Sequence, residues 1–414
     1  MSDKVLHILL IHQAFVSMDE AGGTRHYEIA HYLAEHGHQI TVITSPLSYL
    51  TGEENKGSKK AIRADEKITI LRAKTYSGMH RSFFQRLVSF FSFTISSFFV
   101  GLRVKNVDVV WGTSPPLFQA FTAWALARIK RVPFLFEVRD LWPAFAVEVG
   151  VLRNRVLIAA SEWLERFLYQ RADKLVLNSP GFEEHVRAHG GREIRIVPNG
   201  ADASMFDPEA DGTAFRKQFG LSGKFIVLYA GAHGLSNDLG VVLGAAEELK
   251  SEEKIAIILL GDGKDKPMLQ EQAARMGLIN VHFLPSMPKA EMAKALAAAD
   301  ASLAILKPLK LYATVYPNKV FDYMAAGRPV ILAIDGVIRK VIEESGAGIF
   351  VRPGDPSALA KTIRQLAADP TNGKRMGNSG RKYLEQHFNR PMLAAQMEAV
   401  LQEATGLRQR AAKL

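Results

Sequence analysis

The feature that most limits the fold of this chain is a repeated alternation of short apolar runs with longer amphipathic segments. The first run, residues 5–11, is almost continuously apolar, which is typical of a parallel strand buried on both faces. Residues 24–37 have helical periodicity, and residues 39–45 form the next apolar run. Strand, helix and strand in this order predict a βαβ unit. Further strands are predicted at 107–114, 134–138, 174–179 and 194–200.

A second series of the same kind begins at residue 225. Its predicted strands are 225–231, 255–263, 281–285, 301–306 and 329–334, and the chain from about residue 356 is helical. The two series predict an α/β protein with two Rossmann-like, doubly wound domains, at 1–203 and 204–385, with the polar run 201–215 as the linker. Because ligands of such sheets bind beyond the carboxyl ends of the strands, we expect the parallel sheets to face across a cleft that holds the site.

Composition narrows the class of protein. The chain has 414 residues, 48% of them hydrophobic and 23% charged, which favours ordinary globular domains over disorder. It has no cysteine, which excludes a disulfide scaffold and a thiolate metal site. The first apolar run is too short for a signal peptide, so we expect a cytoplasmic protein. The net charge of +10 fits solubility, a polyanionic ligand, an anionic membrane or nucleic acid.

Two glycine-bearing loops follow predicted strands and precede helical segments. Gly22 and Gly23 would let the backbone approach an anion, and Arg25 adds positive charge at the helix start. The second loop offers the same chemistry through Gly231, His233 and Gly234. The alternative is that both loops are plain turns and that the histidine is structural. Neither loop is a GxGxxG or Walker motif, which argues against hydride transfer and ATP hydrolysis.

A charged cluster stands at the carboxyl end of the predicted strand 134–138. Glu137, Arg139 and Asp140 bring two carboxylates and a guanidinium together where α/β proteins place their sites. Asp140 could orient or deprotonate an acceptor hydroxyl, and Arg139 could hold a phosphate. The alternative is a structural ion pair at the edge of the sheet.

The run PNKVFDYMAAGRPV, residues 317–330, carries the most information. It reads as a helix that starts near Asn318 and ends at a glycine before a buried strand. Asn318 and Asp322 share one helical face, and a carboxylate there can accept both hydroxyls of a ribose. Lys319 supplies positive charge for a diphosphate. The alternative for Asp322 is a simple interaction with the helix dipole.

Residues 81–105 form a Phe- and Ser-rich segment flanked by Arg and Lys, with no charge from 87 to 102. The uncharged part is shorter than the roughly 20 residues that a spanning helix needs. One interpretation is a helix at an anionic membrane interface. The other is a buried helix that covers the sheet.

In order and spacing, these stretches resemble the family-4 retaining glycosyltransferases of the GT-B fold, and more closely their WbuB-like branch in bacterial surface-polysaccharide synthesis. The resemblance covers nearly the whole chain. It rests on AGGTRHYEIAHYLAEHGHQITVIT, RDLWP, IVPNGAD, LGDG, and PNKVFDYMAAGRPV followed by GAGIFVRPGD.

The resemblance implies roles for several positions. The loop at 22–23 would close on the donor diphosphate, and the loop at 231–234 would face it. Asp322 matches the second acid of the family's paired-Glu motif, which binds the ribose, and Lys319 matches the lysine of the WbuB-like branch. The final segment, 386–414, would be a helix that crosses back to the N-terminal domain.

Three departures from the family pattern bear on the mechanism. Thr314 stands where the commoner motif has its first Glu, at the donor sugar. His233 and Asp238 lie near the places where many relatives have an Arg and a Lys. Arg139 falls near a catalytic-region histidine of many relatives. We therefore expect the sugar contact and the phosphate charge to be arranged differently here.

The resemblance implies retaining transfer of a hexose, including an N-acetylated or deoxy sugar, from a nucleoside-diphosphate sugar, with UDP the expected nucleotide. The implied acceptor is a lipid-linked saccharide at the cytoplasmic face of the inner membrane. Asp140 and Arg139 are the candidate catalytic residues, and the protein would stabilise the leaving diphosphate electrostatically. The chain contains no Asp-x-Asp motif, so we expect no metal and no cofactor.

Two other functions stay open. A nucleotide-sugar 2-epimerase has the same architecture, and fold alone does not decide between it and a transferase. A non-enzymatic membrane-binding or nucleic-acid-binding protein would also fit the positive charge. We expect no nucleic-acid partner, because no pattern of basic and stacking aromatic residues is visible.

Overall fold

The computed structural model of the chain describes residues 4–47, 62–65, 67–77 and 83–411. It divides into two compact units. The N-terminal unit holds residues up to 17, 22–198 and those from 391 onward, and the C-terminal unit holds 18–21 and 199–390. The division therefore falls at 198/199 rather than at 203/204. The polar run 201–215 lies within the C-terminal unit because Phe206 and Phe215 are buried in its core.

The N-terminal unit is built on an eight-stranded sheet. Its strands are β1 (His7–Ile11), β2 (Gln39–Thr44), β3 (Ile62–Asp65), β4 (Ile68–Arg72), β5 (Val109–Ser114), β6 (Phe134–Val138), β7 (Lys174–Leu177) and β8 (Ile194–Ile196). Their order in the sheet is β3-β4-β2-β1-β5-β6-β7-β8. All neighbours are parallel except β3 and β4, which are antiparallel. The helices are α1 (Arg25–Glu35), α2 (Phe83–Arg103), α3 (Leu117–Lys130), α4 (Ala144–Glu148), α5 (Arg155–Arg171) and α6 (Glu183–Ala188).

The C-terminal unit holds a six-stranded sheet in which every neighbouring pair is parallel. Its strands are β9 (Phe225–Ala230), β10 (Ile255–Leu260), β11 (Val281–Leu284), β12 (Ala301–Ile305), β13 (Val330–Ala333) and β14 (Gly348–Phe350), in the order β11-β10-β9-β12-β13-β14. Its helices are α7 (Thr213–Gln218), α8 (Leu239–Glu248), α9 (Lys266–Arg275), α10 (Lys289–Ala297), α11 (Asn318–Ala325), α12 (Val337–Ser345), α13 (Pro356–Ala368) and α14 (Pro370–His387). The two sheets confirm the predicted α/β architecture with two doubly wound domains.

The central strands explain why the apolar runs predict parallel sheets. In β1 every residue from Ile8 to Ile11 has no exposed surface, because helices cover both faces of the sheet. The last helix, α15 (Arg390–Ala411), contributes Leu393, Met397 and Leu401 to the same core cluster as β1. Helix α15 therefore packs into the N-terminal unit.

Candidate functional site

In the C-terminal unit, two loops at the carboxyl edge of the sheet lie against each other. The loop after β9 and the loop after β10 are joined by hydrogen bonds from Gly231 N to Leu260 O (3.0 Å) and from His233 N to Asp262 O (2.9 Å). A Cβ on Gly261, whose φ is +146°, would overlap the carbonyl oxygen of Gly231. Only glycine fits such a close approach of two backbones. Gly261 therefore allows the two loops to pack closely at the edge where α/β sheets bind ligands.

Lys319 lies in the first turn of α11 and points at this loop pair. Its Nζ is 4.0 Å from the centre of the Tyr229 ring, and a Cβ added to Gly231 would lie 2.7 Å from it. Nζ is buried and has no hydrogen-bond partner among the described residues. Burial lowers the pKa of Lys319 to about 7. An unpaired buried ammonium is costly, and an anionic ligand would relieve that cost.

Two uncharged polar groups accompany Lys319. The His233 side chain is fully buried, and neither of its ring nitrogens is hydrogen-bonded within the described part of the chain. Burial, reinforced by the nearby Lys266, lowers its pKa to about 4, so the ring is neutral. Asn318 Oδ1 is also buried without a partner in the described ranges. Gly234 follows in the same loop, and a Cβ added there would lie 3.9 Å from its nearest neighbour, Asn237 Nδ2. These groups can orient a polar ligand.

Asp322, on the same helix as Lys319, has a cationic partner of its own. Its carboxylate forms an ion pair with Lys289 at the start of α10. The side chains of Asp322 and Lys289 are 16% and 12% exposed, so both remain accessible. Lys289 Nζ is also 5.4 Å from the centre of the Phe206 ring. Thr314 Oγ1, the other predicted donor contact, donates a hydrogen bond to Leu311 O at 2.6 Å. The ribose role of Asp322 and the sugar role of Thr314 stay predictions.

In the N-terminal unit, Glu137 at the end of β6 is the centre of a buried polar cluster. It has no exposed surface, and it accepts hydrogen bonds from Arg25 Nε (2.8 Å), His26 Nε2 (2.7 Å) and Trp111 Nε1 (3.1 Å). Burial alone would raise the pKa of Glu137, but His26 and Arg25 hold it far below its usual range. The carboxylate is therefore ionised and structural, and sequence spacing gave no sign that Arg25 is its partner.

The Arg25 guanidinium has other partners than the predicted phosphate. Its remaining nitrogens donate to the carbonyl oxygens of Pro198 (2.6 Å) and Val197 (2.7 Å). Arg25 therefore connects the start of α1 to β6 and to residues 197–198, where the chain leaves the N-terminal unit. Gly22 precedes it with φ +148°, where a Cβ would come within 3.0 Å of Val16, and Gly23 is exposed. The phosphate role of this loop stays a prediction that the backbone rather than Arg25 would have to fulfil.

His12 is a residue that the sequence patterns did not single out. It follows β1, its side chain is buried, and its ring centre is 4.3 Å from that of His26. Burial, with His26 next, lowers the pKa of His12 well below its usual value. Both of its ring nitrogens have no hydrogen-bond partner within the residues that the structure describes. Its position directly after a strand and before a Gly-Gly loop was the available signal.

Arg139 and Asp140 follow β6 and leave the buried cluster. Arg139 Nε donates to Ser114 O (3.0 Å), and its own carbonyl accepts from Asn178 Nδ2 (3.3 Å). Burial raises the pKa of Asp140 to about 7, although Arg139 opposes the shift. A carboxyl group that titrates near neutral pH can accept and return a proton, as general acid–base chemistry requires. The catalytic roles of both residues stay predictions.

Comparison with known proteins matches each of the two units to a glycosyltransferase family model. The family model described as "Glycosyl transferase 4-like domain" matches residues 21–200, and the model "Glycosyl transferases group 1" matches residues 211–383. WcaI of Escherichia coli (strain K12), whose name assigns it to colanic acid biosynthesis as a glycosyl transferase, is 25% identical over 378 residues. That match covers 88% of this chain and 91% of WcaI.

Two solved structures have the same fold. A sucrose-phosphate synthase from Thermosynechococcus elongatus superposes with a TM-score of 0.79 and 19% identity, over 99% of this chain and all of that one (100%). Anabaena Alr3699/HepE in complex with UDP-glucose superposes with a TM-score of 0.72 and 16% identity, over 96% of this chain and 100% of that one. At these identities the likeness concerns the fold.

Proposed function

This chain belongs to the family-4 type of glycosyltransferases with the GT-B fold, and from that premise we propose its reaction. It transfers a hexose, N-acetylated and deoxy sugars included, with retention of configuration from a UDP-linked sugar. The acceptor is a lipid-linked saccharide in the synthesis of a bacterial surface polysaccharide, either O-antigen or capsule. The name of WcaI supports the pathway class, and the UDP-glucose complex of HepE supports the nucleotide.

The observation that carries the proposal is the unpaired ammonium of Lys319. It is buried beside Gly231 at the carboxyl edge of the parallel sheet, and no described residue neutralises it. A diphosphate placed there would gain a charge-assisted hydrogen bond and would remove the cost of the buried charge. Positive charge at that point also stabilises the diphosphate as it leaves the sugar. The proposal therefore needs neither a metal nor a cofactor for the donor.

The N-terminal unit would serve the acceptor. Asp140, with a pKa of about 7, is the group that would orient or deprotonate the acceptor hydroxyl. Arg139 next to it would hold a phosphate or steady that carboxylate. Glu137 would have a structural role and would not contact the acceptor, since the three groups that donate hydrogen bonds to it are protein side chains.

The acceptor's lipid requires the enzyme at a membrane, and α2 supports peripheral contact with anionic lipid. One face of α2 buries Ser89, Phe93 and Ser97, whereas the opposite face exposes Phe91 (47%) and Phe99 (56%), with Ile95 between them. The buried face of α2 thus includes two serines beside Phe93 and the exposed face is apolar, so the outer face is inverted relative to that of a water-exposed helix. By length and composition alone, it is the one helix of the described chain able to cross a membrane.

The exposed apolar face continues onto the helices that pack beside α2. α3 contacts α2 and exposes Phe121 and Ile129, and α5 contacts α3 and exposes Trp163 (62%). A face shared by three helices of one unit suits a helix that lies in the interface rather than one that spans it. The +10 net charge adds attraction to an anionic leaflet. We therefore propose a peripheral enzyme on the cytoplasmic face of the inner membrane.

The donor site is tested by measuring the binding of a panel of UDP-sugars by calorimetry. Asp322→Asn should weaken binding at least tenfold, because a ribose hydroxyl loses a charged acceptor. Lys289→Met is the matched control, since it removes the ion pair and keeps the carboxylate. If Lys289→Met weakens binding as much as Asp322→Asn, the ion pair rather than the ribose contact matters and the assignment of Asp322 is wrong.

The reaction class is tested by product analysis with the best-bound donor. A transferase releases UDP only when a lipid-linked saccharide is present and forms an elongated lipid product. An epimerase would interconvert the free nucleotide sugar with no acceptor, and that result would replace the proposal. The anomeric configuration of the product, read by NMR, decides between retention and inversion.

A further inference from the structure

A second polar cluster in the N-terminal unit lies outside the groups assigned above. Glu165 of α5, His185 of α6 and His189 directly after α6 each point one ligand atom to a common place. These three atoms lie within 4.8 Å of one another. The side chains of His185 and His189 are 19% and 22% exposed, and that of Glu165 is 1% exposed. The cluster is thus open to solvent on its histidine side.

Hydrogen bonding orients His189 as a ligand. His189 Nδ1 lies 2.8 Å from His185 O, and because a carbonyl only accepts, Nδ1 carries the proton. The lone pair of neutral His189 is therefore on Nε2, which faces Glu165 Oε2 at 4.0 Å. Two acceptor atoms that face each other repel unless a cation lies between them. A ring fixed by an Nδ1–H bond to a carbonyl is the usual arrangement of metal-binding histidines.

Glu165 supplies the charge. Its carboxylate accepts from Tyr169 Oη (3.0 Å) and from His185 Nε2 (2.9 Å), and it has no Lys or Arg partner in the described part of the chain. A buried carboxylate that has no Lys or Arg partner would be stabilised by a bound divalent cation. The hydrogen bond from the Tyr169 hydroxyl would hold the metal-binding carboxylate of Glu165 in position.

We propose that Glu165, His185 and His189 bind a divalent transition-metal ion, with Zn²⁺ the best fit. Two imidazoles and one carboxylate match the ligands that Zn²⁺ takes, and three protein ligands leave one position for water. Ligand atoms of a tetrahedral Zn²⁺ site are about 3.4 Å apart, so the present spacing of up to 4.8 Å would have to shorten by movement of the two partly exposed rings. Binding through Nε2 requires the proton of the neutral His185 ring to move to Nδ1, so the tautomer changes and the number of bound protons does not.

The expectation that this chain has no metal site rested on the lack of an Asp-x-Asp motif and of a histidine cluster at ligand spacing. It overlooked His185 and His189, which are four residues apart, so that both rings lie on one side of a helical turn. Glu165 could not have been paired with them from sequence, since it comes from another helix.

The test is a titration of the chelator-treated full-length protein with Zn²⁺ by calorimetry at pH 7.5. We expect one equivalent to bind. His189→Gln and Glu165→Gln should each weaken binding at least tenfold, and Tyr169→Phe by roughly 10–100-fold. His36→Gln is the matched control, since His36 Nδ1 also bonds the carbonyl four residues earlier, Tyr32 O, at 2.7 Å.

Co²⁺ gives an independent readout that does not depend on affinity. The wild type loaded with Co²⁺ should show the intense visible absorption of a four-coordinate nitrogen and oxygen site, and His189→Gln should lose it. Equal Zn²⁺ binding by His189→Gln and the wild type, or the lack of one-to-one binding, would overturn the proposal. Because neither measurement uses a nucleotide sugar, failure here leaves the proposed transferase reaction unaffected.

Discussion

Lys319 Nζ lies 4.0 Å from the centre of the Tyr229 ring, and that ring face is its one electrostatic partner among the described contacts. A cation over an aromatic face gains on the order of 1–2 kcal/mol, which is less than the cost of removing an ammonium from water. The lowered pKa of Lys319, about 7, reflects that imbalance. A buried, unpaired charged group beside a glycine loop lowers the stability of the free protein, which is typical of a residue that binds a ligand.

Lys319→Met should therefore stabilise the free protein and abolish donor binding. We expect the free energy of unfolding at pH 7 to rise by about 1–3 kcal/mol, because the buried charge is gone. The folded pKa lies below the ordinary value of 10.5, so the unfolded chain binds more protons between pH 7 and 10.5. The gain from Met should shrink as pH rises through that window. Urea unfolding at pH 7 and 9.5 measures it.

The exposed lysine Lys361 provides the control for Lys319. Lys361→Met should change the free energy of unfolding by no more than about 0.5 kcal/mol and should leave donor binding intact. If Lys319→Met destabilises the protein as a core substitution does, the ammonium has a structural partner and the donor role loses its main support.

Glu137→Gln should destabilise the N-terminal unit strongly. It leaves the buried Arg25 guanidinium without its countercharge, which costs about 3–5 kcal/mol. Glu183→Gln, which breaks the exposed pair with Arg187, should cost less than about 1 kcal/mol. Chemical unfolding followed by tryptophan fluorescence compares the two variants. Equal losses would contradict the structural role of Glu137.

The buried cluster around Glu137 should also make the free energy of unfolding depend on pH. The pKa of Glu137 lies below 4.5, so its contribution is complete above pH 4.5 and is lost as pH falls below it. The pKa of His26 is lowered from 6.5 to about 4, so the unfolded chain binds a proton that the folded chain refuses in that window. Stability should therefore fall as pH drops from 6.5 to 4, and Glu137→Gln should lose the part below 4.5.

The sequence predicted much of the fold because the relevant signals are local. Uninterrupted apolar runs mark β1 and β10 as strands buried on both faces, and glycines mark the ends of helices and loops. Strands β3, β4 and β14 were not predicted, because none of them contains a long uninterrupted apolar run: their sequences are IRAD, ITILR and GIF. The run 201–215 was predicted as the linker, because polar residues hide the buried Phe206 and Phe215.

The site was harder to predict because its decisive contacts join distant residues. Glu137 was grouped with Arg139 by spacing, yet its partner is Arg25, 112 positions earlier in the chain. Asp322 pairs with Lys289, which no pattern connected to it. Lys319 was found because its motif is local, but that its Nζ is unpaired depends on Tyr229 and on the glycine loop.

Asp140→Asn should lower kcat by about 10²–10⁴-fold with little change in KM, if Asp140 acts on the acceptor hydroxyl. Because the pKa of Asp140 is about 7, kcat of the wild type should rise with pH through that value as the carboxylate forms. The variant should lack this limb. The exposed Glu253→Gln is a control with full activity. A retained limb in Asp140→Asn would assign the titration to another group.

The inverted face of α2 predicts binding to anionic membranes. Replacing Phe91, Ile95 and Phe99 together by Ser removes side chains that are 47%, 59% and 56% exposed. The variant also loses some packing, including the ring contact of Phe91 with Phe118 at 4.6 Å, so its folding is checked by circular dichroism. Each inserted side chain contributes on the order of 1–2 kcal/mol to the interface, so binding should fall more than tenfold. Cosedimentation with vesicles of phosphatidylglycerol and phosphatidylcholine measures the loss. Ile279→Ser, 79% exposed in the other unit, should bind like the wild type, whereas equal losses in both variants would refute a specific face.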